Sequence, residues 1–566
     1  MRTWSTCLCV ALFLASSVAQ RPAAAADRFQ PEGKWKLVFL VQGLELLVFD
    51  VTAEDGGFKA ATVDAFQQIG KVDVKGFTSK PGEVTLVFDS GAGEMRFKGA
   101  PVAKGDDAGA VLGVLWLRGS PFPARLEKTE ADKIQPPKPN PVQQKLFAAI
   151  QTKDAKEKVK KLEELIHEEP GPLAQQAYVF LLQSAEAGGL SEDQVRAHAE
   201  AWLAGAKPYG AEWTIQCRIG ALQGLQGKKV YATLALDLAQ QAKKSLAKDA
   251  TLDQQASVAQ ALAGAAKLAG KDDLAAKAEA ELAVLDGKLD EEYHAKVPPF
   301  KPEHYAGRKD PEQNRVVMFE LFTGAQCPPC VAADVAFDAL LSTYKPTELV
   351  TLQYHLHIPG PDPLTNPDSV ARSQYYSVGG TPSTYFNGVT AAGGGGGMPQ
   401  SEGKYRQFRQ EIDKQLAGAK SAKIELQVTR SGDKILVKAT AQVEGRDDAK
   451  DDDESKLHLR VALTEEAIRY VGGNQLRFHH HVVRGFPGGV EGKALTAGEG
   501  NVELTIDLDE VRDGLGKYLD DFAKGSGFPA SLPKLDFKGL AVVAFVQDDA
   551  DKRILHAAQA AVPEAE

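Results

Sequence analysis

The spacing of hydrophobic and polar positions changes three times along the chain. In residues 33–128, short apolar runs such as 35–40 and 84–88 are separated by glycine-rich turns. Short runs of β-branched, aromatic and leucine residues between turns predict strands. About seven or eight such runs in succession predict an antiparallel β barrel or sandwich over residues 27–133.

Apolar residues then recur at helical spacing through residues 142–290, including an alanine-rich stretch at 256–285. Apolar faces of about 12 to 18 residues, interrupted by glycine and proline, predict about eight helices. Paired helices of this length predict an all-α helical-repeat-like domain of the tetratricopeptide type. Proline-rich segments at 134–141 and 297–302 bound this region and predict linkers.

Strand-like runs return in the last part of the chain. An apolar run at 316–322 precedes a pair of cysteines, and a helical pattern follows at 331–341. Further strand-like runs from residue 424 onward predict an immunoglobulin-like β-sandwich domain over residues 420–566. The whole pattern predicts a multidomain α+β protein, with an α/β domain at residues 303–419.

The first residues have the features of a secretory signal. Arg2 is followed by an apolar stretch at 7–15 and by small residues at 17–19, with a second possible exit at 24–26, so residues 1–26 are predicted to be a signal peptide. The apolar stretch is too short to span a bilayer, and no other run approaches about 18 apolar residues. We therefore expect an exported protein, periplasmic, cell-surface or secreted, with no membrane span.

Composition and charge narrow the choice of partners. The net charge of −10 makes nucleic acid or an anionic membrane surface an unsuitable main partner. Cys217, Cys327 and Cys330 remain once the predicted signal is removed. Exported proteins stabilised by disulfides contain many more cysteines, so the spacing of the last two indicates chemistry rather than stability.

A Cys-x-x-Cys follows the apolar run at 316–322. Cysteines three apart share one face of the first helical turn, so Cys327 and Cys330 can form a disulfide. Unpaired amides and the helix dipole at a helix N-terminus favour a thiolate at Cys327. Pro328 and Pro329 suit the first helical positions but remove two N–H groups. Cys327 is then the nucleophile and Cys330 the resolving thiol.

This segment, together with Gly380-Thr381-Pro382 downstream, resembles the active site of the thioredoxin-like superfamily. The resemblance covers about residues 314–419 and is to bacterial secreted thioredoxin-like proteins, which are thiol-disulfide oxidoreductases. It implies a cis proline at Pro382 opposite the disulfide, with Thr381 and Pro382 binding substrate backbone. The superfamily's buried acid falls at Leu321 here, so Glu320, one residue earlier, is the expected proton acceptor for Cys330.

The resemblance implies an enzyme that exchanges thiols and disulfides with protein substrates and is recycled by a redox partner protein. It implies no cofactor beyond the redox-active Cys327–Cys330 disulfide. The alternative is a cell-envelope binding or scaffold protein with a redox-inert thioredoxin-like domain, since most of the chain lies outside residues 303–419.

A run of three histidines lies in a predicted strand of the last domain. His479 and His481 would share one face of that strand and offer two metal ligands. No third ligand is evident, and four ligands are usual for structural zinc. The sequence therefore predicts no metal site, with His479 and His481 as the weak candidates.

Overall fold

The computed structural model describes residues 29–91, 93–117, 119–137, 140–169, 171–248, 250–308, 314–443, 456–529 and 532–565. The predicted signal peptide, residues 1–26, lies outside the described residues. The chain divides into two compact units, residues 1–250 with 257–279, and residues 251–256 with 280–566. In the part of the chain that is described, no helix is long and apolar enough to cross a bilayer.

The first unit begins with a closed antiparallel barrel, which confirms the barrel alternative. Each strand pairs with the next, and the first pairs with the eighth. The strands are β1 (Gly33–Phe39), β2 (Leu44–Glu54), β3 (Gly57–Ala65), β4 (Asp73–Lys80), β5 (Glu83–Ser90), β6 (Gly93–Pro101), β7 (Val111–Leu117) and β8 (Ser120–Lys128).

Side chains fill the interior of this barrel. Trp35, Phe49, Phe88 and Phe97 are buried together with aliphatic residues of the other strands. Gly113 lies opposite β6, where an added Cβ would be 2.1 Å from the Lys98 carbonyl oxygen. The inward-facing side chains of the eight strands therefore form a packed core inside the barrel.

Helices follow the barrel, as the change to helical spacing predicts. They are α1 (Pro141–Gln151), α2 (Ala155–Glu168), α3 (Pro172–Gly188), α4 (Glu192–Ala206), α5 (Ala211–Gly224), α6 (Ala232–Ser245), α7 (Leu252–Leu268) and α8 (Asp272–Lys296). Ser191 and Gln194 form a capping box at the start of α4. Tyr178 stacks on Trp202 inside the helical region, and Cys217 is buried there as an apolar residue.

The second unit is built on a mixed sheet, and the cysteine pair follows the end of one of its strands. Its first elements are β9 (Val317–Thr323), α9 (Val331–Thr343), β10 (Leu349–His355), α10 (Pro367–Tyr376), β11 (Ser383–Phe386), β12 (Val389–Thr390) and α11 (Ser401–Leu416). β9 and β10 are parallel, and β11 is antiparallel to β9.

The remaining elements extend this sheet and add a second one. They are β13 (Ala422–Ser431), β14 (Lys434–Val443), β15 (Leu457–Arg469), β16 (Phe478–Gly485), β17 (Lys493–Ala494), β18 (Glu499–Asp507), α12 (Leu508–Ala523), β19 (Leu540–Asp548) and β20 (Ile554–Ala561). The large sheet has the order β12-β11-β9-β10-β16-β15-β19-β20, with β17 on β15. The second sheet, β13-β14-β18, packs Ile435 and Val437 against Val461 and Val542 of the large sheet.

The large sheet crosses the predicted domain boundary at residue 420. β10 pairs in parallel with β16 at Gln353 and Val482, so strands from both sides of that boundary share one sheet. The face of β9 that includes Phe319 packs on α9 and α11, and the face that includes Phe322 packs on Tyr354 and Tyr376. The end of β9 and the start of α9 therefore lie in the middle of a well-packed unit.

Candidate active site

The two cysteines form a disulfide in the turn between β9 and α9. The Cα atoms of Cys327 and Cys330 are 5.3 Å apart. The Cys327 N–H donates to the Gly324 carbonyl at 2.9 Å, and the Cys330 N–H donates to the Cys327 carbonyl at 3.0 Å. Cys327 is 1% exposed and Cys330 is fully buried. Both sulfurs therefore lie beneath the surface.

Backbone groups of a glycine-rich segment occupy the start of α9. The Ala332 N–H donates to the Gly396 carbonyl at 3.0 Å, and the Gly396 N–H donates to the Pro329 carbonyl at 2.7 Å. An added Cβ at Gly395 would lie 2.5 Å from the Pro329 carbonyl oxygen, so only glycine fits there. The sequence predicts unpaired amides at this helix N-terminus apart from those removed by Pro328 and Pro329. The structure shows in addition that the Ala332 N–H already has an acceptor.

The loop before β11 reaches the disulfide. The Thr381 hydroxyl donates to Cys327 Sγ at 3.3 Å, and the Thr381 carbonyl oxygen lies 3.7 Å from the same sulfur. The Thr381–Pro382 peptide bond is cis. The structure therefore brings Thr381 to the predicted nucleophile and places Pro382 next along the chain.

The structure does not bring Glu320 to the disulfide. Its carboxylate is buried on the face of β9 opposite α9, where it accepts hydrogen bonds from Arg372 Nε at 2.9 Å and the hydroxyls of Tyr354 at 2.9 Å and Tyr376 at 2.6 Å. Strand residues alternate between faces, so Glu320 faces away from Cys330. Glu320 is half of a buried ion pair and not the neighbour of the resolving cysteine.

Asp334 is the buried acid on the α9 side of the sheet. It lies four residues after Cys330, and this spacing puts the two side chains on one face of the helix. Thr323 Oγ1 donates to Asp334 Oδ2 at 3.0 Å, and Gln353 Nε2 donates to Oδ1 at 3.2 Å. Burial raises the pKa of Asp334 well above its ordinary value. An aspartate inside the apolar run 331–341 was the available sequence signal.

A chain of buried polar contacts continues from Asp334 to the disulfide loop. Gln353 Oε1 lies 3.2 Å from His355 Nε2, and His355 Nδ1 lies 2.8 Å from Asp362 Oδ2. Asp362 Oδ2 also accepts the Ala325 N–H at 2.6 Å. Burial raises the pKa of Asp362, but the charge of His355 and the backbone N–H groups outweigh burial and leave the pKa below its ordinary value.

A hairpin loop between β15 and β16 forms one wall beside the disulfide loop. The Gly473 N–H donates to Gln326 Oε1 at 2.9 Å, and the Asn474 N–H donates to the Ala325 carbonyl at 2.9 Å. An added Cβ at Gly472 would lie 2.2 Å from the Ala325 carbonyl oxygen. Residues far along the chain therefore contact the two positions immediately before Cys327.

His479 and His481 have separate partners. His479 is fully buried, and its Nε2 lies 3.1 Å from the Tyr470 carbonyl; burial lowers its pKa to about 3. His481 Nδ1 lies 2.7 Å from Thr351 Oγ1. The His479 ring packs edge-on against the His355 ring, and His481 has a φ of +50°. No group of three His, Cys, Asp or Glu side chains within the described ranges is arranged to hold a metal ion.

Comparison with known proteins adds little. No family model matches the chain, and no curated protein matches it. Among solved structures the chain is similar to HBP35 of Porphyromonas gingivalis, at 16% identity and a TM-score of 0.30, over 45% of this chain and 77% of that chain. These values are too low to establish a shared fold or a shared function.

Proposed function

We propose that the protein is an exported thiol-disulfide oxidoreductase and that residues 303–419 form a thioredoxin-like domain. The observation that supports this most is the Cys327–Cys330 disulfide at the start of α9, with the Thr381 hydroxyl donating to Cys327 Sγ. A structural disulfide needs no hydrogen-bond donor on its sulfur. A nucleophilic sulfur benefits from one, because a donor stabilises the thiolate.

The proposed reaction transfers two electrons from the reduced cysteines to a protein disulfide. The Cys327 thiolate attacks one substrate sulfur, so that a mixed disulfide forms and one substrate thiolate leaves. The Cys330 thiolate then attacks Cys327 Sγ, which forms the enzyme disulfide and releases the second substrate thiolate. A dithiol of a redox partner protein reverses these steps on the enzyme and is itself oxidised to a disulfide.

Cys330 must lose a proton before it attacks. It is fully buried, so the proton has no direct route to water. Asp334 is buried one helical turn away, on the α9 side of the sheet, and Glu320 is held by Arg372 on the other side. We therefore assign the proton-accepting role to Asp334. Its raised pKa suits exchange with a thiol, because general bases work best when their pKa lies near the operating pH.

One observation favours the binding or scaffold alternative. Cys327 is 1% exposed in the disulfide form, so a substrate sulfur cannot reach it without movement of the surrounding loops. The helical region and the second sheet of the C-terminal part, which we interpret as a helical-repeat array and one layer of a β-sandwich, would then make the contacts.

Trapping separates the two functions. The Cys330→Ser variant should accumulate a mixed disulfide with a disulfide-containing protein such as insulin, because Cys327 attacks and nothing resolves the intermediate. Cys327→Ser should accumulate none, and Cys217→Ser should behave as wild type, because Cys217 is a buried thiol in the helical region. Wild-type exchange no faster than that of Cys327→Ser would leave the binding function as the better explanation.

A further inference from the structure

The His355 ring lies between two buried polar side chains. Gln353 Nε2 donates to Asp334 Oδ1 at 3.2 Å, and Gln353 Oε1 lies 3.2 Å from His355 Nε2. On the other side of the ring, Asp362 Oδ2 lies 2.8 Å from His355 Nδ1. His355 therefore links the Asp362 carboxylate to the polar contacts that lead to Asp334. The side chains of His355 and Asp362 are both fully buried.

The carboxylate of this pair is bonded directly to the disulfide loop. Asp362 Oδ2 accepts the Ala325 N–H at 2.6 Å, and Asp362 Oδ1 accepts the Leu364 N–H at 2.9 Å. The loop has little room to move. An added Cβ on Gly324 would lie 2.6 Å from the Ile358 carbonyl oxygen. Ala325 is two residues before Cys327, so the carboxylate fixes the backbone from which the nucleophile is presented.

We propose that the buried His355–Asp362 pair is the positioning element of the disulfide site. The pair holds the loop at residues 324–326 in the conformation that fits the disulfide, and its hydrogen bonds to that loop set how readily Cys327–Cys330 is reduced. This inference deepens the proposed function and rests on it for its biological meaning, since reduction of the disulfide is one step of the proposed cycle.

Other ionisable groups face Asp362 from each element packed against it. Asp334 acts on it from α9, His479 from β16 and Tyr470 from the hairpin loop. On its own loop, His357 Nδ1 accepts the Asp362 N–H at 3.0 Å, and His357 is kept neutral at ordinary pH because burial lowers its pKa. Among these groups, His355 is the one bonded to the Asp362 carboxylate.

Asp362→Asn is the sharpest test, because it changes one contact and keeps another. The amide oxygen of asparagine can still accept the Leu364 N–H, but its NH2 group faces the N–H groups of Ala325 and His355. Asp368→Asn is the matched control. Asp368 lies in the first turn of α10, and its carboxylate also accepts a backbone N–H, from Phe486 at 2.6 Å.

The measurement is the equilibrium of the full-length protein with glutathione from about pH 6 to pH 8. Two reduced glutathione molecules give two electrons to the protein disulfide and become one glutathione disulfide. We expect Asp362→Asn to raise the equilibrium constant for reduction by about tenfold across this range, because a hydrogen bond to a charged group is lost from the oxidised loop. Asp368→Asn should match wild type.

His355→Asn provides a second variant if Asp362→Asn does not fold. Its amide nitrogen can occupy the place of Nδ1 and donate to Asp362, but the shorter side chain loses the contact with Gln353, so we expect a shift in the same direction and of smaller size. Unchanged constants in both folded variants, or an equal shift in Asp368→Asn, would overturn the inference. If the wild-type protein does not exchange with insulin but Asp362→Asn still shifts the glutathione equilibrium, the proposed function is refuted and the positioning role of the His355–Asp362 pair stands.

Discussion

Replacing Asp334 by asparagine should make the second unit more stable at neutral pH. The side chain is fully buried and accepts hydrogen bonds from Thr323 and Gln353, and burial raises its pKa well above the ordinary value of 3.8. Asparagine has the same shape and no charge. It keeps an acceptor for one of the two donors and never has to be desolvated as an ion.

The sign follows from the two protonation states. Above pH 3.8 the unfolded chain has lost the Asp334 proton, whereas the folded protein keeps it up to its raised pKa. Folding then takes up a proton, so stability falls as pH rises between the two values. The slope for one group is about 1.4 kcal/mol per pH unit. Asp334→Asn removes this slope, so its advantage over wild type should grow with pH across that window.

Urea unfolding of the oxidised, full-length protein from about pH 4 to pH 8 measures this difference. All five tryptophans precede residue 214, so tryptophan fluorescence reports only the first unit. The transition seen by circular dichroism and not by tryptophan fluorescence therefore belongs to the second unit, which contains Asp334.

Asp521→Asn is the control for the pH series. Asp521 is exposed, and a hydrogen bond from Lys524 lowers its pKa, so its removal should give no advantage that grows with pH. A stability of Asp334→Asn that falls further below wild type as pH rises would mean that Asp334 is ionised in the folded protein. That result would refute the argument from burial.

Two further predictions concern packing in the second unit. Arg372→Met should destabilise it by about 3 to 5 kcal/mol in urea unfolding, because Glu320 would stay buried without its partner, and Glu320→Gln in the same chain should recover part of that loss. Gly472→Ala should slow thiol exchange and lower stability, because its Cβ would lie 2.2 Å from the Ala325 carbonyl oxygen. Gly514→Ala is the control: this glycine lies in α12 with open space around it, so alanine there should stabilise the protein by about 0.5 to 1 kcal/mol. Equal melting temperatures for the two glycine variants would contradict the steric argument.

The local parts of the site could be predicted from the sequence. The strand, the cysteine turn and the helix follow one another within about 30 residues, so patterning was enough to place Cys327 and Cys330. The face of β9 on which each acid lies could not be predicted, for a physical reason. Every residue from Val317 to Thr323 is buried, so alternation could not tell which face of the strand meets α9. The structure places Glu320 on the face that meets Arg372, and Asp334 on the α9 side of the sheet.

Contacts between distant segments could not be predicted. The parallel pairing of β10 with β16 joins residues more than a hundred positions apart, and no local pattern specifies it. The helix α12 was also missed, although Leu508, Leu515 and Leu519 recur at helical spacing and are buried on one face. This helical spacing lies between two strand-like runs. Because the runs on both sides are typical of strands, the pattern as a whole favours a continuous β domain.

The pairing of β10 with β16 has a consequence for the order of folding. The ribosome makes the chain from the N-terminus, so β10 is made well before β16. Until β16 arrives, β10 has an open edge of unpaired N–H and C=O groups. Such an edge can pair with another chain. Nascent chains that have reached only about residue 420 should therefore depend on a chaperone that covers this edge until β16 has been made.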